Sequence, residues 1–231
     1  MSATLSAAAG LELGAYRARH VEERVRRALQ REGVEDAAAL ARLLRSDPGA
    51  RSRFRRSVAV SVSGLFRDPH QFVLLEQEIL PALLLRPGRM TVWSAGCADG
   101  TELYSVALLL DRAGALDRST LLGSDVLEEN LERARSGPLA DSRIPERLRA
   151  RLRWEVRDLL RNGPPPGRWR LVLCRNVAIY LEPAAKARVH RMLAGALAAG
   201  GALMLGRSER LGDPASLGLR RVEPHIYERP R

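Results

Sequence analysis

Residues 90–113 read MTVWSAGCADGTELYSVALLLDRA, and this stretch decides the fold. Its first six residues, 90–95, form a short apolar run of the kind that a buried strand requires. Gly96 and Gly100 punctuate the loop that follows, and a helical pattern begins at residue 102 and ends near residue 113. A buried strand, a glycine loop and a helix in this order are the first unit of an α/β sheet.

The alternation of strand and helix continues to the end of the chain. Further strands are predicted at 120–124, 152–156, 170–174 and 202–206, and an antiparallel pair at 219–222 and 225–228. Further helices are predicted at 127–136 and 183–198, and turns at 163–166 and Gly200-Gly201. This pattern predicts an α/β fold with a doubly wound, mostly parallel, seven-stranded sheet.

The first 60 residues predict helices without strands. Apolar residues recur at near-helical spacing from Leu13 to Leu29, a second helix begins at Asp36, and Asp47-Pro48-Gly49 breaks it. A helix that starts at Asp68-Pro69 leads into the sheet, since proline suits the first helical position. We therefore place a small all-α domain at 1–58 and the sheet domain at 59–231.

Composition excludes several classes of protein. The 231 residues are 45% hydrophobic, which is typical of a globular chain, and no apolar run approaches the about 20 residues of a membrane span. The two cysteines, Cys97 and Cys174, are too few for a disulfide scaffold, and the four histidines have no paired spacing. The first basic residue is Arg17, so the start lacks the charge of a secretory signal. We expect a soluble cytoplasmic protein with no metal and no membrane insertion.

The net charge of +11 is unevenly distributed, and all but one of the 38 basic residues are arginine. Residues 1–60 carry 12 arginines against 7 acidic residues, whereas residues 61–140 carry 7 against 11. The segment with the glycine loop is therefore acidic, and positive charge flanks it. Two interpretations remain open, which are steering of an anionic partner and a general use of arginine on solvated faces.

Polar and small residues follow the first two strands, where α/β sheets bind ligands. Gly96 and Gly100 allow the backbone to approach a ligand closely. Asp125, at the end of the second strand, suits hydrogen bonding to ribose hydroxyls, although it is also placed to cap the helix at 127–136. The combination describes a nucleoside-binding sheet and does not choose between a nicotinamide cofactor and S-adenosylmethionine.

Four motifs resolve that choice by resemblance. They are SVSGLFRDP at 61–69, VWSAGC at 92–97, CRNVAIY at 174–180 and LGRSE at 205–209. In this order, and over nearly the whole chain, they resemble the CheR family of chemoreceptor glutamate methyltransferases. The resemblance implies a class I methyltransferase that uses S-adenosylmethionine, releases S-adenosylhomocysteine and esterifies glutamates on the cytoplasmic helical bundle of chemoreceptors.

The resemblance and the strand ends together give the candidate site residues. The cofactor-binding candidates are Ser61, Ser63, Arg67, Gly96, Gly100, Glu102, Asp125, Asp158, Leu159, Arg175 and Asn176. Arg67, Arg175 and Tyr180 are the catalytic candidates, as residues that hold the cofactor carboxylate or the incoming glutamate. The alternative for them is structural, with an arginine paired to Asp68 or Glu182 and a tyrosine packed on the sheet.

The chain departs from the family pattern in several places, including the glycine loop, where Ala98-Asp99 replaces a usual Ser-Thr pair. Ser61 and Ser63 stand where the family has Asn and Thr, which shortens the reach of these side chains. The segment 136–151 is too short for the small antiparallel subdomain that family members insert there. The spacing of the arginines in this segment suits one exposed face of a helix. These arginines are Arg143, Arg147, Arg149 and Arg151. We therefore expect no tether to a receptor tail pentapeptide.

Charged residues of the helical domain are candidates for docking an acidic receptor surface. They are Arg42, Arg45, Arg53, Arg55 and Arg56. A nucleic-acid methyltransferase is less consistent with the sequence, because Cys174-Arg-Asn-Val replaces the Asn/Asp-Pro-Pro-Tyr loop of many base methylators. A module that binds the cofactor without turnover is the other alternative. We expect a monomer without a nucleic-acid partner.

Overall fold

The computed structural model describes residues 2–59, 64–137 and 144–231. Within these ranges the chain forms two compact units. The first contains residues 2–59 and 180–188, and the second contains the remaining described residues. The boundary expected between residues 58 and 59 stays a prediction. Among the described residues, no helix combines the length and apolar character needed to cross a bilayer.

The first unit is helical. Its helices are α1 (Ser2–Ala9), α2 (Ala18–Glu32), α3 (Ala37–Ser46) and α4 (Pro48–Val58). The side chain of Asp36 accepts a hydrogen bond from Ala39 N at 2.7 Å and so caps α3, as the sequence predicts. Asp47-Pro48-Gly49 breaks the helix as expected, but it also starts the next one, because Asp47 accepts from Gly49 N and Pro48 occupies the first turn. α1 was not predicted, because its small residues form no apolar stripe at helical spacing.

The second unit begins with a helical segment before the sheet. It consists of α5 (Pro69–Leu74), a π-helical turn at Leu75–Ile79 and α6 (Leu80–Leu84). The predicted start at Asp68-Pro69 is confirmed, with Pro69 in the first turn. Phe72, Leu75 and Leu80 are buried on this segment, and each fully buried apolar side chain of this size contributes about 1.5–3 kcal/mol.

Seven strands form a single sheet among the described residues. They are β1 (Met90–Ala95), β2 (Ser119–Asp125), β3 (Leu152–Val156), β4 (Trp169–Cys174), β5 (Leu197–Leu205), β6 (Arg220–Glu223) and β7 (Ile226–Glu228). Their order is β3-β2-β1-β4-β5-β7-β6; the first five run parallel, and β7 is antiparallel to both of its neighbours. The predicted doubly wound sheet is confirmed. The strand order reverses between β1 and β4, which makes the carboxyl ends of these strands the expected ligand position.

The remaining helices are α7 (Thr101–Arg112), α8 (Glu128–Ser136), α9 (Glu146–Arg149) and α10 (Pro183–Ala196). Gly200-Gly201 was expected to form a turn, and this prediction is wrong because both glycines lie inside β5. Gly200 has φ +66°, and the pairing of β5 with β4 shifts register beside it. The glycines therefore accommodate an irregularity within the strand, where a positive φ costs little only for glycine.

The arginines before β3 do not form one exposed helix face. α9 is a single turn, and both terminal nitrogens of Arg147 lie 2.7 Å from the carboxylate of Asp111. Arg151 lies 2.5 Å from Asp117. These ion pairs bind the segment to its own unit. Arg143 lies outside the described residues.

Candidate functional site

A small cavity lies where β1 and β4 end, on both sides of the reversal in strand order. Its lining residues are Gly64, Arg67, Gly96, Cys97, Ala98, Thr101, Glu102, Arg175 and Asn176. Five of them are predicted site residues, which the fold therefore brings together. The cavity measures about 40 Å³, whereas small-molecule pockets typically measure about 300–1,000 Å³. The described lining thus surrounds only part of a ligand of cofactor size.

The glycine loop after β1 depends on the absence of side chains at two positions. Gly96 has φ +76°, and a Cβ there would lie 2.5 Å from Val177 Cγ2. Gly100 has φ +82°, and a Cβ there would lie 2.4 Å from Trp154 Cη2. The N–H of Gly96 donates to the Ser124 carbonyl at 2.8 Å, which joins the loop to the end of β2. Glycine is therefore required for both conformation and space.

Asp125 fixes this loop to the start of α8. Its Oδ2 accepts a hydrogen bond from Ala98 N, and its Oδ1 accepts from Leu127 N and Asn130 Nδ2, all at 2.9 Å. Burial raises the pKa of Asp125, and these hydrogen bonds oppose the shift. The carboxylate does not belong to the cavity lining, so its contact with ribose hydroxyls stays a prediction. Its hydrogen bonds with Leu127 N and Asn130 Nδ2 agree with the alternative, in which Asp125 caps the helix that follows β2.

Arg175 is the centre of a buried network beneath the cavity. Its side chain is only 2% exposed and lies 2.9 Å from the Asp68 carboxylate and 3.3 Å from that of Glu102. Its Nε donates to Gln71 Oε1 at 3.1 Å, and its Nη2 donates to the Arg67 carbonyl at 2.6 Å. The ion pair with Asp68 agrees with the alternative expectation, in which this arginine has a structural role. A direct contact of Arg175 with cofactor or glutamate stays a prediction.

Glu102 supplies a carboxylate to the cavity from the first turn of α7. Its Oε1 accepts a hydrogen bond from Ser94 Oγ at 2.7 Å. Burial raises the pKa of Glu102, while the guanidinium of Arg175 and the Ser94 hydroxyl lower it. Burial also raises the pKa of the Cys97 thiol well above its usual range, so this side chain lines the cavity as a neutral thiol.

Strained backbone conformations concentrate around this cavity. Five non-glycine residues among those described have positive φ, and four of them are Phe66 at +54°, Asp68 at +59°, Ala98 at +50° and Asn176 at +61°. Such conformations cost about 1–3 kcal/mol each and persist where surrounding contacts enforce them, as at ligand sites. The 64–68 loop is held in this way by a hydrogen bond from Phe66 N to Ser105 Oγ at 2.9 Å.

Glu209 is a buried site residue to which the sequence assigned no role. Its Oε2 accepts hydrogen bonds from Asn176 N at 2.6 Å and Gly206 N at 2.9 Å, and its Oε1 accepts from Ala178 N at 2.8 Å. It therefore fixes the loop after β4 in a conformation that directs Arg175 and Asn176 to the cavity. The LGRSE motif at 205–209, which contains Glu209, is the sequence feature that could have indicated its role.

The other candidates lie away from the described lining. Asp158 Oδ1 accepts a hydrogen bond from Leu160 N at 2.9 Å in the turn after β3, and Leu159 lies in the same turn. Tyr180 belongs to the helical unit, where its ring centroid is 4.9 Å from that of His20. Their site roles stay predictions. Ser61 and Ser63 lie outside the described residues.

The five docking candidates differ in exposure and pairing. Arg53 Nη2 lies 2.7 Å from Glu32 Oε2, and the hydrogen bonds from Arg53 and Arg31 lower the pKa of Glu32 to about 2. Arg53 is therefore neutralised within its own unit. Arg42, Arg45 and Arg56 are exposed, and Arg55 is half-buried. Their role in docking stays a prediction.

The strand order and the site at its reversal point define a class I methyltransferase, an enzyme that takes its methyl group from S-adenosylmethionine. The model described as "CheR methyltransferase, SAM binding domain" matches residues 61–154 and 140–221. A second model, "CheR methyltransferase, all-alpha domain", matches residues 2–59. The chain belongs to the CheR methyltransferase family.

Individual relatives agree with this assignment. The chain is 27% identical over 240 residues to a chemotaxis protein methyltransferase of Listeria monocytogenes, covering 94% of this chain and 91% of the relative. It is 28% identical over 236 residues to chemotaxis protein methyltransferase 1 of Pseudomonas aeruginosa, with 88% and 86% covered. A solved SAM-dependent methyltransferase from Corynebacterium glutamicum is 17% identical, with 79% and 97% covered and a TM-score of 0.45.

The residues around the cavity fit S-adenosylmethionine, the cofactor of this family. The cofactor carries a cationic sulfonium, an amino acid with both charges, and a ribose. The cavity offers the Glu102 carboxylate for cationic groups and the Arg67 guanidinium for the carboxylate. Asp125 anchors the adjoining loop through Ala98 N at the end of β2, and its contact with the ribose stays a prediction.

Proposed function

We propose that this protein is a protein-glutamate O-methyltransferase that esterifies glutamate side chains on the cytoplasmic helical bundle of chemoreceptors. The observation that carries the proposal is the convergence of Arg67, Glu102 and Arg175 on one cavity at the ends of β1 and β4. The names of the relatives, which are chemotaxis protein methyltransferases, support a receptor substrate.

The chemistry of the lining suits a carboxylate nucleophile. When bound, S-adenosylmethionine supplies an activated methyl group on a positively charged sulfur. A glutamate with an ordinary pKa of about 4.3 is already ionised at neutral pH and needs no base, whereas an amine must first lose a proton. Among the described lining residues none is His, Lys or Tyr, and the hydrogen bonds that Glu102 accepts from Arg175 and Ser94 disfavour it as a general base. Catalysis then depends mainly on orientation and on exclusion of water.

Each residue of the site has a distinct role in this proposal. Arg67 binds a carboxylate, either that of the cofactor or that of the incoming glutamate. Glu102 stabilises the positive charge of the cofactor, and Asp125 receives the ribose hydroxyls. Arg175 is a positioning residue, because its guanidinium holds the Arg67 carbonyl and the Glu102 carboxylate at once.

Docking of the substrate is proposed to rely on charge rather than on a receptor tail. The exposed residues Arg42, Arg45 and Arg56 would steer an acidic helix bundle, with an effect that salt screens. Reversing Arg42 and Arg45 to Glu should lower turnover mainly at low salt. A receptor tail pentapeptide should not bind, and micromolar binding in a calorimetric titration would contradict that.

A paired measurement on Arg67 tests the proposal. For wild type and Arg67→Gln we would measure the Kd for S-adenosylmethionine and the kcat/KM for a receptor fragment, with Arg191→Gln on the surface of α10 as control. Loss of a charge-assisted contact should raise the Kd, lower kcat/KM, or do both, by about tenfold to a hundredfold. A change in Kd assigns Arg67 to the cofactor, and a change in kcat/KM alone assigns it to the glutamate. No change in either would refute the role.

A further inference from the structure

Arginines precede three neighbouring parallel strands at the end of the sheet opposite the cavity. Arg118 comes directly before β2, Arg89 before β1 and Arg168 before β4. Met90 pairs with Ser119, and the β1–β4 register aligns Arg168 in the same way. Because adjacent strands lie about 4.8 Å apart, the three residues stand side by side along this edge.

Two further arginines extend the group. Arg170 Nη1 donates to the Arg86 carbonyl at 3.1 Å, and Arg86 donates to the Ala199 carbonyl. Burial, together with the positive charges of Arg86 and Arg118, lowers the pKa of Arg170. We call Arg86, Arg89, Arg118, Arg168 and Arg170 the arginine row.

Within the described part of the chain, the members of the arginine row donate mainly to backbone carbonyls and not to acidic side chains. None of its five members forms an ion pair with a carboxylate there. Their hydrogen bonds go to backbone carbonyls and one hydroxyl, for example from Arg89 Nη2 to the Ser119 carbonyl at 2.8 Å. Asp117, which neighbours Arg118 in sequence, pairs with Arg151 instead. Each guanidinium carries five N–H donors, so the row retains donors for an anion such as a phosphate.

An exposed leucine lies at the same edge. Leu85 is 87% exposed, and it sits between Arg86 and Leu84, whose carbonyl lies 3.5 Å from Arg118 Nη1. The other large apolar residues exposed within the described ranges, Val73 and Val156, reach only 43% and 46%. A solvent-exposed leucine beside basic side chains indicates a partner surface that is both anionic and apolar.

We propose that the arginine row and Leu85 dock the protein on a membrane surface that carries anionic phospholipid headgroups. Clusters of about 4–8 basic residues are typical of such binding, and an inserted apolar side chain strengthens it. A specific protein interface needs a larger apolar centre, and a single-stranded nucleic-acid site uses aromatic platforms. One large apolar residue beside the arginine row is exposed, Leu85, and no Phe, Tyr or Trp side chain is exposed in the described part of the chain. Docking by this edge directs the cavity away from the bilayer, toward receptor segments that extend from it.

Vesicle sedimentation tests the proposal on the full chain. Vesicles of phosphatidylcholine alone are compared with vesicles that also contain phosphatidylglycerol. The variants are Arg118→Gln with Arg168→Gln, Leu85→Ser, and a control, Arg191→Gln with Arg221→Gln, which removes the same charge from exposed positions outside the row. Thermal unfolding of each variant checks its folding, and Leu85→Ser removes no contact of the row.

We expect binding to the anionic vesicles only, with a decrease as salt rises. The row variant should bind about 30-fold more weakly and Leu85→Ser about tenfold more weakly, while the control stays close to wild type. Equal weakening of row variant and control would mean that net charge alone acts, and would overturn the proposal. Absence of vesicle binding, or loss of duplex RNA binding by the row variant with unchanged vesicle binding, would overturn it as well.

Discussion

The carboxylate of Glu209 accepts a 2.6 Å hydrogen bond from the backbone N–H of Asn176, a residue held at φ +61°. The same side chain accepts from Ala178 N and Gly206 N, so one buried carboxylate joins the loop after β4 to the end of β5. Arg175 lies within this loop. The position of the buried guanidinium therefore depends on an acid 34 residues further along the chain.

Replacing Glu209 should affect both stability and cofactor binding. Glu209→Ala leaves three backbone N–H groups without their acceptor, and each buried unsatisfied group costs about 1–3 kcal/mol. Glu209→Gln keeps one oxygen acceptor and should lose less. Urea unfolding and titration with S-adenosylmethionine measure the two effects, with exposed Glu146→Ala as control. An unaltered Kd in a folded Glu209→Ala protein would show that the loop needs no such anchor.

Gly96→Ala should disrupt the glycine loop. The new Cβ would lie 2.5 Å from Val177 Cγ2 in a backbone with φ +76°, so steric clash and strain act together. We expect a loss of about 1–3 kcal/mol in the free energy of unfolding and weaker cofactor binding. Gly212→Ala is the matched control, since a Cβ there has no atom within 4 Å. Comparable losses in both variants would contradict this account of Gly96.

The stability contributed by the Arg53–Glu32 pair should depend on acid pH. The pKa of Glu32 is lowered from 4.5 to about 2 by hydrogen bonds from Arg53 and Arg31. A carboxylate with a depressed pKa in the folded state stabilises fully above about pH 4.5, and this stabilisation is lost as the pH falls toward 2. The Tm of Arg53→Gln should therefore lie below that of wild type at pH 7, and the difference should shrink at pH 3.

Arg135→Gln provides the comparison, because it breaks the pair of Arg135 with Glu128, in which both side chains are about half exposed. Its Tm should stay close to that of wild type at both pH values. A difference for Arg53→Gln that is constant between pH 7 and pH 3 would exclude Glu32 as its cause.

The sheet could be predicted because its signals are local. Apolar runs such as residues 90–95 are bounded by glycines or charges, and the strand–helix alternation leaves few topologies. The end of the first strand then indicated Gly96 as a site residue, and the family resemblance added Glu102. Both line the cavity.

The contacts within the site could not be predicted because they join distant parts of the chain. Arg175 binds Gln71 and Asp68, more than 100 residues earlier, and no spacing rule encodes such a pair. The LGRSE motif contains Glu209, but it did not predict the hydrogen bonds of this residue with the loop after β4. Gly200-Gly201 was misread because paired glycines are typical of turns, and only strand register distinguishes a turn from an irregularity within a strand.

The most direct test of the proposed reaction is the chemical nature of the transferred methyl group. The purified chain is incubated with S-adenosylmethionine labelled in its methyl group and a chemoreceptor cytoplasmic fragment, and the labelled fragment is then exposed to mild alkali. A glutamate methyl ester releases its label as volatile methanol, and the same fragment with its candidate glutamates changed to alanine should take up none. Label that resists alkali, or tight cofactor binding without any transfer to receptor fragments, would contradict glutamate methylation.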